Sequence, residues 1–243
     1  MEAPALGPRL RAIADLVPRD CRVLADVGTD HGYIPAALLL EGRILRAVAC
    51  DVGEAPLDRA RHTAALCGVE DRIDFRLGDG LAVLAPGEAD VIIIAGMGGD
   101  NITGILARAP WARDGGLLIL QPMSRAEVLR RWLPEHGYAV EAEKLVLDKG
   151  VIYPILTVRG GAMPLAAEDQ AWGGFLLDGD PLWGDYLEER ILRLRKAADG
   201  LSKARDPSLA EKRRSICRVI NELEQKKGAW DRANSARDRK RPL

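Results

Sequence analysis

The feature that most constrains this chain is an alternation between two kinds of apolar pattern. Continuous runs at residues 22–27, 47–50, 73–77, 91–95 and 117–120 are four to six residues long and rich in Val, Ile and Leu. Helix-like stretches at 33–41, 55–66, 101–108 and 125–136 separate them. Runs without a polar alternate belong to strands covered on both faces, so the pattern predicts βαβ units around a parallel sheet. Ser124 with Glu127 three residues on has the form of a capping box and predicts the start of the last of these helices.

After Gly137 the pattern changes. Residues 138–147 and 152–158 are separated only by Asp148-Lys149-Gly150, too short for a helical crossover, which predicts a terminal antiparallel hairpin. Five parallel strands and a hairpin make an α/β sheet of seven. Composition shifts near Gly160-Gly161-Ala162-Met163-Pro164, the expected domain boundary. Beyond it Leu187, Ile191, Leu194, Ala198 and Leu201 recur at helical spacing, with Gly200 as an internal weakness. Asp206 has the character of an N-cap before Pro207, and Leu209, Ile216, Ile220 and Leu223 form one face of a second helix, opposite Arg213, Arg214 and Lys226. The expected organisation is therefore a sheet domain over 1–160, a helical hairpin of coiled-coil character over 161–230, and a disordered basic tail over 231–243.

Composition excludes several classes. A chain 47% hydrophobic and 29% charged is globular. Its longest apolar runs, such as 36–40 and 91–95, fall far short of a membrane span, and no signal-peptide pattern opens it. Four cysteines (Cys21, Cys50, Cys67, Cys217) without CxxC pairing fit a reducing compartment, and three histidines without zinc-site spacing give no metal centre. The expectation is a cytoplasmic protein without metal or membrane association, and both monomer and homodimer are compatible with the sequence. Net charge is −1, but residues 203–243 hold 13 basic and 6 acidic residues, leaving 22 basic and 30 acidic in 1–202. Such a split points to an appendage with an anionic partner.

In an alternating α/β sheet, ligands bind at the carboxyl ends of the strands. The first such loop reads Asp26-Val27-Gly28-Thr29-Asp30-His31-Gly32-Tyr33. A dinucleotide fingerprint starting at Gly28 needs glycine at 30 and 33 but meets Asp30 and Tyr33, so a pyrophosphate would face carboxylates. A cofactor carrying an ammonium and a sulfonium suits Asp26 and Asp30 instead. Asp51, 23 residues after Gly28, is placed for ribose hydroxyls, and Gly78-Asp79-Gly80 for an adenine amine. The cluster Ala95-Gly96-Met97-Gly98-Gly99 clears side chains from the mouth of the site, and Gln121-Pro122 ends the fifth strand. Taken singly, Asp51 reads as a helix cap, Asp79 as a turn residue and His31 as a structural histidine; the conjunction of four loops fits an S-adenosylmethionine site.

These residues are also familiar. The segment from Ala25 through Asp30-His31-Gly32-Tyr33-Ile34-Pro35, with Gly96-Met97-Gly98-Gly99 and Leu120-Gln121-Pro122, resembles the bacterial tRNA (adenine-22-N1)-methyltransferase family, over roughly residues 5–160. The resemblance implies a Rossmann-like methyltransferase sheet with a C-terminal helical pair, S-adenosyl-L-methionine as cofactor, and N1 of an adenine in the tRNA D-arm as acceptor. It implies cofactor contacts from Asp26, Gly28, Asp30, Asp51, Asp79, Gly80, Ala95, Gly96 and Met97, with Gly78 beside them. Adenine N1 carries an in-plane lone pair and no proton, so orientation matters more than a strong base. Asp30, His31 and Gln121 are the candidates to orient it. For RNA contact the candidates are Arg9 and Arg11, Arg125, Arg130 and Arg131, and Arg213, Arg214, Arg218, Lys226 and Lys227. The cluster at 237–241 has no place in the family pattern. A methyltransferase of another RNA, protein or small molecule and a non-catalytic RNA-binding protein with a relict site are the alternatives; Asp30 already weakens a nicotinamide oxidoreductase.

Overall fold

A computed structural model describes residues 3–202 and 207–238. The chain divides into two compact units, Met1–Leu165 and Ala166–Leu243, so the division lies four residues beyond the glycine pair at 160 and 161.

The first unit opens with α1 (Pro8–Asp15) and then alternates β1 (Val23–Val27), α2 (Tyr33–Leu40), β2 (Arg46–Asp51), α3 (Glu54–Cys67) and β3 (Ile73–Leu77). It continues through β4 (Val91–Gly98), α4 (Gly99–Ala107), β5 (Leu117–Ser124), α5 (Ala126–Glu135), β6 (Tyr138–Asp148) and β7 (Val151–Gly160). The sheet has seven strands in the order β3-β2-β1-β4-β5-β7-β6. The first five pair in parallel, and β7 runs antiparallel to both β5 and β6. Leu24, Ile93 and Ile119, on three central strands, are wholly buried, as continuous apolar runs require of a sheet covered on both faces. The hairpin turns at Lys149 and Gly150, whose φ values of +49° and +79° suit a two-residue turn matched to the strand twist.

Two local expectations are corrected. Strands β4 and β5 do not stop with their apolar runs; pairing continues through Ala95↔Gln121, Met97↔Pro122 and Gly98↔Ser124 with register shifts. Ser124 is thereby spent on the strand, and no capping box forms. Arg125 stands at the N-cap of α5 with φ +56° and no side-chain cap.

In the second unit, α6 (Glu168–Gly173) precedes α7 (Trp183–Ser202) and α8 (Pro207–Asp238). Leu187, Ile191, Leu194 and Ala198 of α7 are buried, as are Val219, Ile220 and Leu223 of α8. The ion pairs Lys227–Glu188 and Arg195–Glu224 advance along α7 while retreating along α8, so the two helices are antiparallel. Gly200 does not interrupt α7. The expected loss of structure from Asp231 is corrected as far as Asp238, because α8 runs on to that residue. That stretch has no Gly or Pro, and Lys227–Asp231 adds a helical i,i+4 ion pair. Asp206 and the rest of the 237–241 cluster beyond Asp238 lie outside the described residues.

Candidate active site

Strand order reverses between β1 and β4, and the carboxyl ends of the strands there frame two adjoining cavities. One, of about 480 Å³, is walled by Arg9, Asp26, Asp30, His31 and the Ala95-Gly96-Met97 strand end. The other, of about 470 Å³, is walled by Asp79, Gly80, Asn101 and Arg108. Gly28, Asp51 and Met97 belong to both, so the two form one groove across the switch point.

Each wall has a local cause. Gly28 follows β1 with φ +78°, a conformation that favours glycine, and the flexible end of Met97 packs where a Cβ would stand. Asp26, next to last in β1, leaves 8% of its surface exposed, and burial pushes its carboxyl up to about 6. The Thr29 hydroxyl donates to it at 2.6 Å and partly opposes that rise. Asp51, half-buried at the end of β2, accepts the Gly53 N–H at 2.8 Å.

The outer carboxylates are paired with arginines. Arg59 of α3 donates to Asp30 through Nε at 3.1 Å and through a second nitrogen, and His31 Nε2 lies 3.5 Å from the same carboxylate. Arg108, just past α4, reaches both Asp79 oxygens at 2.9 and 3.0 Å. The His31 and Tyr33 rings stack with centroids 5.0 Å apart and planes 9° from parallel.

The expected residues therefore do not all reach the groove in the same way. Asp26, Gly28, Asp30, His31, Asp51, Asp79, Gly80, Ala95, Gly96 and Met97 line it. Gly78 turns instead against Val83 and is not among its walls. Gln121 is wholly buried behind it; its side-chain oxygen accepts from Arg9 at 2.7 Å and from the Gly96 N–H at 3.2 Å. The extended β4–β5 pairing creates this brace by setting Gln121 beside Ala95.

Several expected RNA contacts are corrected by the same geometry. Arg9 turns inward to Gln121, 6.0 Å from the Tyr153 ring centroid and 3.9 Å from Asp148. Arg130 has no exposed surface and pairs with the buried Glu143, because it shares the inner face of α5 with Ala126 and Leu133. Arg11 pairs with Glu41 at 2.7 Å, Arg125 with Asp100 and Glu127, and Arg131 is half-buried. In the helical unit Lys226 pairs with Asp169, and Lys227 with Asp231 and Glu188. Arg213, Arg214 and Arg218 are exposed on α8 and wall a cavity of about 700 Å³ together with Cys217.

Sequence reasoning missed Thr29, Arg59 and Arg108 and misplaced Arg9. Arg9 had a signal: it lies four residues before the buried Ile13, on the inward face of α1. Arg59 and Arg108 had none, since each meets its carboxylate across 29 residues of chain. Three carboxylates and one permanent cation, Arg9, wall the first cavity. That set suits a ligand with two cationic centres and one carboxylate, which is the charge pattern of S-adenosylmethionine. Among the described residues, no group of three or more His, Cys, Asp or Glu side chains could hold a metal ion, and no helix is long and apolar enough to cross a membrane.

Known proteins share this architecture. Residues 6–156 match the family described as Methyltransferase domain. The tRNA (adenine(22)-N(1))-methyltransferase of Bacillus subtilis is 34% identical over 194 residues, 79% of either chain. The crystal structure of the B. subtilis m1A22 tRNA methyltransferase TrmK superposes with a TM-score of 0.82 at 27% identity, covering 93% of this chain and 99% of that one. A Streptococcus pneumoniae protein solved in complex with S-adenosyl-L-methionine is 32% identical, with a TM-score of 0.78 over 90% of this chain and 97% of its own. The chain belongs to the methyltransferase-domain family, within the group of tRNA (adenine(22)-N(1))-methyltransferases.

Proposed function

We propose that this chain is an S-adenosylmethionine-dependent enzyme that methylates N1 of adenine 22 in the D-arm of tRNA. The observation that carries the reading is the continuous groove at the switch point, with Asp51 on both of its halves and side-chain-free backbone from Gly96 at its mouth. The bound cofactor supplies a methyl group on a positively charged sulfur. The chain's own residues do the rest by binding and orientation. Asp51 is suited to the ribose hydroxyls and Asp79 to the adenine amine, with Arg108 sharing that carboxylate. Asp26 and Asp30 suit the cationic centres, and Arg9, fixed by Gln121, suits the carboxylate.

The acceptor nitrogen has no proton to lose, so no residue has to act as a strong base. Asp30 and His31 hold the base in line, and Asp30 stabilises the cationic product ring. Gln121 acts through Arg9 and Gly96 as a positioning residue. Arg213, Arg214 and Arg218 supply phosphate contacts from the helical unit. A tRNA substrate and four free cysteines support a cytoplasmic setting for the reaction.

The test is nucleoside analysis of unmodified tRNA after incubation with the purified protein and methyl-labelled S-adenosylmethionine. The expected product is N1-methyladenosine, absent from a tRNA whose adenine 22 is replaced by guanine. Label recovered in another nucleoside, or in protein alone, would reject the reading.

A further inference from the structure

A third cavity, of about 610 Å³, adjoins the groove over α3. Its walls include His31, Tyr33, Arg59, His62, Thr63 and Leu66. His31 and Tyr33 also wall the first cavity, so the stacked ring pair is common to both. Leu66 leaves 68% of its surface exposed on α3, an apolar side chain that the core does not use. Nothing in the segment Gly96-Met97-Gly98-Gly99 offers a ring for a base to stack on. Aromatic surface at this site therefore comes from the loop after β1.

We propose that this third cavity receives a second base of the RNA substrate, a nucleotide directly adjoining the target adenine. The inference rests on the tRNA reading above and extends it. Extruding one base from a folded RNA unstacks its neighbours, and RNA-binding proteins hold splayed bases on aromatic faces. The His31–Tyr33 stack, shared by the catalytic groove and the third cavity, is placed to separate two such bases. Leu66 supplies an apolar floor. Arg59, held at the rim by Asp30, and His62, exposed on the same helix, supply donors for the sugar–phosphate link. A protein partner would not need ring faces continuous with the groove that takes the methyl acceptor.

The experiment uses the full chain and three tRNAs: intact, and with an abasic residue immediately 5′ or 3′ of the target adenine. One abasic tRNA is expected to show a KM raised roughly tenfold, the scale of one lost base stack, with kcat and cofactor affinity kept. Leu66→Ser, a substitution at an exposed helix position, is expected to raise KM for intact tRNA by a similar factor. It is expected to add nothing further on that abasic tRNA. Unchanged KM for both abasic tRNAs, or effects of substitution and abasic residue that multiply, would overturn the proposal while leaving the methylation reading intact. Absence of any methylation of intact tRNA by the unaltered enzyme would instead overturn the underlying reading.

Discussion

Asp26 ties stability to pH at a single buried carboxyl group. Burial pushes it up to about 6, against an ordinary value near 4. The native state thus holds a proton there more tightly than the unfolded chain does. The resulting stabilisation is fully present below about pH 4 and is lost as pH rises through about 6. Ionised Asp26 costs the ligand-free protein about 3 kcal/mol at neutral pH, while the same charge suits a cationic cofactor. Asp26→Asn keeps an acceptor for Thr29 and removes the charge. Urea unfolding should find the variant more stable than the parent at pH 7.5 and nearly equal to it at pH 4, and calorimetry should find its cofactor affinity greatly reduced. A variant whose stability follows the parent's pH profile would show that Asp26 does not carry this cost. That Asp26, Asp51 and Asp79 would gather at one groove was legible because Asp26 lies near the end of an apolar run and Asp51 and Asp79 just past theirs. Their arginine partners were not, since Arg59 and Arg108 become neighbours only when separate loops converge.

At the scale of elements, α5 is pinned to β6 by Arg130 and Glu143, both without side-chain exposure and joined at 2.8 Å through Nε. Removing one partner of such a pair leaves a buried charge unanswered, whereas replacing both with apolar groups is often close to neutral. Arg130→Met is therefore expected to cost about 3–5 kcal/mol of unfolding free energy. The double variant Arg130→Met/Glu143→Leu should recover most of it, as read from denaturant midpoints. Failure of the second substitution to rescue the first would mean that the pair contributes geometry that packing cannot replace. The strands themselves were legible because a doubly covered sheet needs unbroken Val, Ile and Leu runs, and the hairpin because Lys149-Gly150 leaves no room for a helix. The ends of β4 and β5 were not. Glycine and proline argue against strand locally, and the pairing from Ala95↔Gln121 through Gly98↔Ser124 carries the sheet past them. The same competition between neighbours removed Ser124 from its expected cap.

For the molecule as a whole, the net charge of −1 conceals an acidic stretch, residues 1–202, and a basic one, residues 203–243. The acidic stretch includes the carboxylates of the groove at the switch point, and within the basic one α8 holds 8 basic and 5 acidic residues. Charge counted along the sequence overstates the surface free for RNA, because Lys226 and Lys227 are engaged in ion pairs within the helical unit. Arg213, Arg214 and Arg218 are exposed and, among the described residues, in no ion pair. Each phosphate neutralised by such a side chain releases counterions, which makes binding fall with salt at a slope of roughly 0.7–0.9 per contact. The triple variant Arg213→Ala/Arg214→Ala/Arg218→Ala should weaken tRNA binding and flatten its salt dependence by about two units of slope. Cofactor affinity should be unchanged, since Asp26, Asp51 and Asp79 all lie in the other unit. Lys226→Ala/Lys227→Ala should leave the slope nearly where it was. Filter binding across a salt series distinguishes these outcomes. An unchanged slope in the triple arginine variant would remove α8 from the RNA-binding surface, however basic its sequence.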